Sequence, residues 1–197
     1  MAEFILAHKK AYVHNQDYCN NPNKGENYFN KILIGSKLGV TPKLFYKHLD
    51  RVPTKNDIIN LSEDESLIIY KKEYWNTIQG GLIKNQSIAL LLYDTIINDG
   101  YSFMIKSVKK ALISQELKYD GYNVVQINNC NEEEFFYSIL RDRLDKYSIG
   151  DDELRKHYIK KLFQLNFTSR KKSKKYLALS LLLVLAILFF LYKQITL

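Results

Sequence analysis

The sequence predicts a mainly α-helical protein with one membrane-spanning helix at its C-terminal end. The first observation is a series of amphipathic stretches with helical spacing, several of which begin at N-cap residues or end at glycines. The second is the segment 176–192, YLALSLLLVLAILFFLY, which holds seventeen residues without a charge. Such a run favours a bilayer span over a helix in a protein core, because core helices are seldom apolar on every side.

The N-terminal part begins with a predicted helix and continues into a loop. One face of this helix carries Phe4, Ile5, His8, Ala11 and Tyr12. His8 is therefore expected to face the core. Residues 13–39 lack such spacing and are rich in Asn, Gly, Lys and Tyr, which predicts a long loop of the kind that is usually functional.

Two N-cap patterns predict the next helices. Thr41 and Pro42 mark the start of a helix whose apolar face holds Leu44, Phe45, His48 and Leu49. The segment 62–65, SEDE, predicts a capping box that opens a helix running through Tyr74 and Trp75.

After a Gly80-Gly81 break, the pattern predicts an apolar helix from Ser87 to about Asn98 that ends at Gly100. The helix that follows places Phe103, Val108, Ala111 and Leu112 in the core. A polar connector comes next, with a short extended piece at Val124-Val125. Two final amphipathic helices are striped by Phe135, Phe136, Ile139, Leu140 and Leu144, and by Leu154, Tyr158, Ile159, Leu162 and Phe163.

The charges around the apolar segment predict its topology. The basic residues before it are Arg170, Lys171, Lys172, Lys174 and Lys175, whereas only Lys193 follows it. The positive-inside rule then places the body of the protein in the cytoplasm. Tyr176 and Tyr192 lie where the aromatic belts of a bilayer are expected, and the basic run suits anionic lipid headgroups.

The same charges argue against nucleic acid as a partner. Without these six residues, the remaining basic side chains nearly balance the 21 acidic ones, although the net charge of the whole chain is +8. Cys19 and Cys130 have no metal-ligand spacing, so no metal or other cofactor is predicted.

Two motifs resemble a known family. IYKKEYW at Ile69–Trp75 and IALLLYDTIINDG at Ile88–Gly100 are similar, in order and spacing, to the IYxxxYW and iAxxlfDxxvNxG of the glycoside hydrolase family 108 N-acetylmuramidases. Tyr119-Asp120-Gly121, Ile127-Asn128 and Arg143 resemble that family's C-terminal peptidoglycan-binding module, although Asn123–Gln126 replace its GxxT.

The resemblance implies a lysozyme-like muramidase helical fold in residues 1–113. It further implies a degenerate peptidoglycan-binding-like module in 114–168. A basic linker at 169–175, the transmembrane helix at 176–192 and a short tail at 193–197 complete the predicted organisation.

The first helix departs from the family at the general acid. The family pattern His-Glu-Gly-Gly-Tyr reads here His8-Lys9-Lys10-Ala11-Tyr12, so that Lys9 stands in place of the catalytic glutamate. A glycosidase must protonate the leaving oxygen, which a carboxylic acid of raised pKa does near neutrality. A solvated lysine, whose ordinary pKa is ~10, is a poor proton donor there.

The other candidate site residues have two interpretations each. Gly25-Glu26-Asn27-Tyr28 resembles the family's GGxTNYGI loop, and Glu26 could act as a displaced acid. The candidate ligand-binding residues are Tyr12, Asn27, Tyr28, Tyr74, Trp75, Asp94 and Asn98. The aromatic members either stack on sugars or pack in the core, and the polar members either bind sugars or cap helices.

These features lead to three functional hypotheses. The first is a membrane-anchored pseudoenzyme on a bacterial inner membrane, which binds or scaffolds other proteins of an envelope-associated or phage-related assembly. The second is an active, endolysin-like muramidase that uses Glu26. The third is an anchor that faces outward and binds murein. Peptidoglycan is the ligand that the resemblance implies, and the lipid bilayer is the partner that the apolar segment implies.

Overall fold

The computed structural model describes residues 2–11, 19–148, 159–160 and 162–169 of the chain. The described residues form two compact units, which divide along the chain as Met1–Leu82 with Leu92–Met104 and as Ile83–Leu91 with Ile105–Leu197. The predicted domain boundaries stay a prediction. In the ranges that the structure describes, no helix is long and apolar enough to cross a bilayer. Three predicted features lie outside these ranges. They are Tyr12, the part of the basic linker beyond Ser169, and the span at 176–192.

In the first unit, helix α1 comprises Ala2–Ala11, which confirms the first predicted helix. Its inner face buries Phe4, Ala7 and His8, at the spacing of one helical stripe. His8 therefore faces the core, as its position in the pattern predicts.

The segment predicted as a loop contains regular structure within residues 19–39. A 3-10 helix at Gly25–Asn27 leads into a hairpin of β1 (Tyr28–Phe29) and β2 (Ile32–Leu33), in which Phe29 pairs with Ile32. The two turn residues between the strands have positive φ angles of 48° and 68°, as a type I′ turn requires. The loop prediction is wrong here because two-residue strands are too short to show an alternating pattern.

Helix α2 (Pro42–Leu49) begins as predicted, with the Thr41 hydroxyl accepting a hydrogen bond from the Leu44 N–H. Helix α4 (Glu63–Tyr70) likewise begins at Ser62, whose hydroxyl oxygen accepts from the Glu65 N–H. The chain then continues as a π-helix over Lys71–Trp75. The helical prediction through Trp75 is confirmed, but the hydrogen-bond pattern of its last turn is wider than that of an α-helix.

The short helix α3 (Lys55–Ile59) is absent from the predicted elements, although the sequence carries its signal. Thr54 and Asp57 form a reciprocal capping box, and the Arg51 guanidinium donates two hydrogen bonds to the Asp57 carboxylate. The bonds from Arg51, and then that from the Thr54 N–H, hold the pKa of the Asp57 carboxyl well below its usual range. Thr54 and Asp57 have the spacing of a capping box, but a five-residue helix is too short to carry a long apolar stripe.

Helices α5 (Gln86–Asp99) and α6 (Tyr101–Ile113) confirm the predicted pair and the break at Gly100, which has a φ of +87°. In the second unit, α7 (Val124–Asn129) replaces the extended piece predicted at Val124-Val125. That prediction is wrong because Asn123 caps the helix, its side-chain oxygen accepting a hydrogen bond from the Val125 N–H. This local cap outweighs the β preference of two valines.

Helix α8 (Glu132–Ser148) belongs to the second unit and buries Phe135, Phe136 and Ile139 as predicted. Leu140 and Leu144 are half-buried. Of the last predicted stripe, Leu162 is buried, whereas Phe163 is 71% exposed and lies in a turn, so its assignment to the core is wrong. Leu154 and Tyr158 lie outside the described residues.

The segment after this turn is fixed within the second unit at Thr168. The Thr168 N–H donates to the Ser87 hydroxyl at 3.0 Å, and its carbonyl accepts from the Asn85 amide at 3.2 Å. The ring of Phe167 contacts that of Phe136, with 5.5 Å between centroids. The chain is thus held at a defined point, two residues before the basic run.

We expect Phe136→Ala to lower the free energy of unfolding by ~3 to 5 kcal/mol, since the ring is 1% exposed and its loss leaves a cavity. The matched control Phe163→Ala removes an exposed ring and should change it by less than ~0.5 kcal/mol. Denaturant titration of both variants measures the difference. Equal losses would contradict the burial of one ring and the exposure of the other.

Candidate functional site

His8, the residue before Lys9, is held by two tyrosines. Its Nδ1 lies 2.8 Å from the Tyr93 hydroxyl, and its ring centroid lies 4.9 Å from that of Tyr70. Tyr70 ends α4 and Tyr93 lies in α5, so this histidine joins α1 to both helices. The position of the last turn of α1 is therefore set by packing in the first unit.

Lys9 is the next residue of α1 after this fixed histidine. Its backbone belongs to the same helical turn, so the contacts of His8 with Tyr70 and Tyr93 also determine where the backbone of Lys9 lies. This is the backbone position at which the family resemblance places the general acid.

The side chain of Trp75, a candidate sugar-stacking residue, is buried. It is 4% exposed, and its ring centroid lies 5.8 Å from that of Phe4 and 5.6 Å from that of Tyr93. A Cβ at Gly80 would meet the indole ring at 2.5 Å, so the ring lies directly against the glycine backbone. This burial favours the core-packing interpretation of Trp75.

Tyr74 differs from its neighbour, because it is half-buried and keeps part of its ring at the surface. Its centroid lies 5.5 Å from that of Tyr70. The rings of His8, Tyr70 and Tyr74 thus form a row that runs from the buried face of α1 to the surface. Of these two aromatic residues, only Tyr74 has an accessible side chain that a ligand could contact.

Asp94 and Asn98 lie together on α5. Asp94 is fully buried, and the Asn98 amide donates to the Asp94 carbonyl oxygen at 2.8 Å. The Asn98 side chain therefore binds the backbone one turn earlier, near the C-terminal end of the helix. This contact favours a structural role for Asn98, as does burial for Asp94.

Asn27 organises the loop around the hairpin. Its side chain is fully buried and donates to the Asn21 carbonyl at 3.1 Å, while its own carbonyl accepts from the N–H groups of Ile34 and Gly35. These bonds close the base of the hairpin. The neighbouring Tyr28 is half-buried, and Glu26 is exposed in the 3-10 helix.

The structure therefore gathers His8, Tyr74 and Trp75 around Tyr70 and Tyr93, two residues that are not among the candidates chosen from the sequence. Both belong to the motifs that carry the resemblance, so the motifs themselves hold the signal that could have found them. No group of three or more potential metal ligands occurs in the parts of the chain that the structure describes.

Comparisons with known proteins agree with this architecture. Residues 4–100 match the model of the family described as glycosyl hydrolase 108. Among solved structures, SagA from Brucella abortus is 15% identical and similar in fold, with a TM-score of 0.66 over 83% of this chain and 91% of that chain. No curated protein matches the sequence.

We expect Gly80→Ala to destabilise the first unit by ~1 to 3 kcal/mol, because the added methyl group would overlap the buried indole ring. Gly81→Ala is the matched control, since a Cβ there would meet the same ring at an ordinary 3.9 Å. Denaturant titration followed by Trp75 fluorescence measures both. An unchanged Gly80→Ala midpoint would contradict the packing of Trp75 on this backbone.

Proposed function

We propose that this chain is a muramidase-like protein that has lost catalysis, because residues 4–100 match the glycosyl hydrolase 108 family model. It is anchored in a bacterial inner membrane with its body in the cytoplasm. There it acts as a binding or scaffolding component of an envelope-associated or phage-related assembly. The observation that carries the proposal is Lys9 at the position of the general acid.

The replacement removes a chemical step rather than a contact. General acid catalysis supplies typically 10²- to 10⁴-fold in rate, and a lysine cannot replace a glutamic acid in that role near neutral pH. A positive charge close to the bond also disfavours an oxocarbenium-like transition state. Ala11 and Lys10 further replace the two glycines of the family pattern.

The competing hypothesis of an active enzyme needs Glu26 as the acid. Glu26 is exposed on a 3-10 helix at the surface, whereas a glycosidase acid typically sits in a partly apolar pocket beside the substrate. The described geometry thus gives Glu26 no support beyond its nearness in sequence to Asn27 and Tyr28.

The fold can persist without the reaction. The contacts of His8, Trp75 and Tyr93 stabilise the first unit and do not involve the lost carboxylate. A protein with this core keeps the muramidase shape as a surface for partners. The half-buried rings of Tyr28 and Tyr74 are the candidate residues through which it could still hold a glycan.

The membrane part of the proposal rests on the sequence of residues 170–193. The basic run before the apolar segment and the single lysine after it favour a cytoplasmic body. Because polymerised murein lies on the other side of that membrane, this topology favours scaffolding over digestion.

We expect full-length protein in mild detergent to leave purified murein undigested. In the variant Lys9→Glu, alone or with Lys10→Gly and Ala11→Gly, we expect a rise in digestion if the remaining cleft is intact. The release of soluble muropeptides measures both. Glu26→Gln is the control, and it should behave like the unaltered protein.

The opposite result would overturn the loss of catalysis. If the unaltered chain digests murein and Glu26→Gln abolishes that digestion, Glu26 is the working acid and the protein is an enzyme. Co-sedimentation of the same samples with murein distinguishes an inactive protein that still binds murein from a scaffold that does not bind the polymer.

We expect the full chain to stay in the membrane pellet after a high-salt wash, and a chain that ends at Lys175 to move to the supernatant. Replacement of the basic residues of 170–175 by Gln should leave the full chain membrane-bound with mixed orientation, because the charge bias is lost. Cell fractionation and protease accessibility measure these outcomes. A shortened chain that still pellets would show that the apolar segment is not the main anchor.

A further inference from the structure

The hairpin and α2 share a partly exposed surface that has no part in the proposed site. The ring of Phe29 in β1 lies 4.9 Å from that of Tyr46 on α2. Ile32 pairs with Phe29 across the hairpin, so both side chains project from the same side of the two strands. Ile32 is nevertheless 63% exposed. We name these three residues the hairpin–α2 face.

Lysines surround this face. Lys31 lies in the exposed turn next to Ile32, and Lys43 precedes Tyr46 by three residues, on the same side of α2. Lys47 lies beside them, although it is 3.7 Å from the Glu73 carboxylate. Asp50, directly after the end of α2, and Glu73, the partner of Lys47, are acidic residues near this helix. The face therefore combines an apolar tip, two rings and mainly positive charge.

We propose that the hairpin–α2 face is a second membrane contact, which rests against the anionic headgroups of the bilayer that holds the C-terminal anchor. This inference rests on the proposed anchoring. Aromatic side chains prefer the membrane interface, and lysines beside them are attracted to anionic lipids. An aliphatic side chain at the tip of a turn can enter the headgroup region, which accounts for the exposure of Ile32.

A small surface is enough for this membrane contact, because the proposed anchor already holds the protein at the bilayer. An anchored domain meets the bilayer at a high effective concentration, so a contact too weak to recruit a free protein can still orient a bound one. A saccharide platform would instead place hydrogen-bond acceptors as well as donors around its rings, whereas Ile32 is apolar and the lysines donate but do not accept. The chemistry of the face thus favours lipid over glycan.

The test uses the full chain in nanodiscs with an indole placed at the tip by Ile32→Trp. The lipids carry bromine on their acyl chains, which quenches nearby indoles. In discs of phosphatidylglycerol and phosphatidylcholine, we expect this variant to lose a large part of its added fluorescence. Pure phosphatidylcholine should give a much smaller loss, because the lysines then lack anionic partners. Native Trp75 is buried and contributes the same background to every sample.

Leu82→Trp is the matched control, since Leu82 is 65% exposed in the same unit but lies outside the hairpin–α2 face. Its indole should stay unquenched. Lys31→Glu with Lys43→Glu, added to Ile32→Trp, should reduce quenching to the level of the control. Equal quenching at both positions, or none at Ile32→Trp, would overturn the proposal.

Failure of the anchor gives a different result. A chain that does not enter the nanodiscs contradicts the proposed anchoring, whereas an inserted chain with an unquenched tip contradicts only the second contact. In the last part of the experiment, soluble murein fragments are added to the Ile32→Trp variant. If they change the fluorescence of Ile32→Trp more than anionic lipid does, the face binds glycan and the proposal is overturned.

Discussion

The packing of the Trp75 ring on the backbone of Gly80 constrains the whole first unit. No side chain fits between them, so the turn after the π-helix must follow the plane of the indole. The same ring contacts Phe4 of α1 and Tyr93 of α5. The π-helix Lys71–Trp75 has a wider turn than an α-helix and so determines where this ring points.

The contacts that stabilise this core are distinct from the residue on which the proposed loss of catalysis rests. His8 contacts Tyr70 and Tyr93, and the family resemblance places the general acid at the next position, Lys9. The contacts of His8 are made by its own ring, with Tyr93 and Tyr70. On the proposal that catalysis is lost, these contacts would preserve the muramidase-like core without any rebuilding of its interior.

The second unit controls the path of the chain towards the basic run. Asn85 caps α5 through its side-chain oxygen and binds Glu132 and Thr168 through its amide nitrogen. One buried side chain thus ties the start of α5, the start of α8 and the last described segment together. Because Thr168 precedes the basic run by two residues, an anchor of the kind we propose would begin close to a fixed point of this unit.

The main helices can be predicted from the sequence alone, because N-caps, glycine stops and apolar stripes act within a few residues of the chain. The sequence has this local information in full. It also carries the motifs of the family resemblance, which need no coordinates. It missed the hairpin and α7, where short elements depend on turn and cap geometry, and it placed Phe163 in the core. The burial of Trp75, Asn27 and Asp94 could not be read from the sequence, because burial depends on residues that are distant in the chain and meet only in the folded protein.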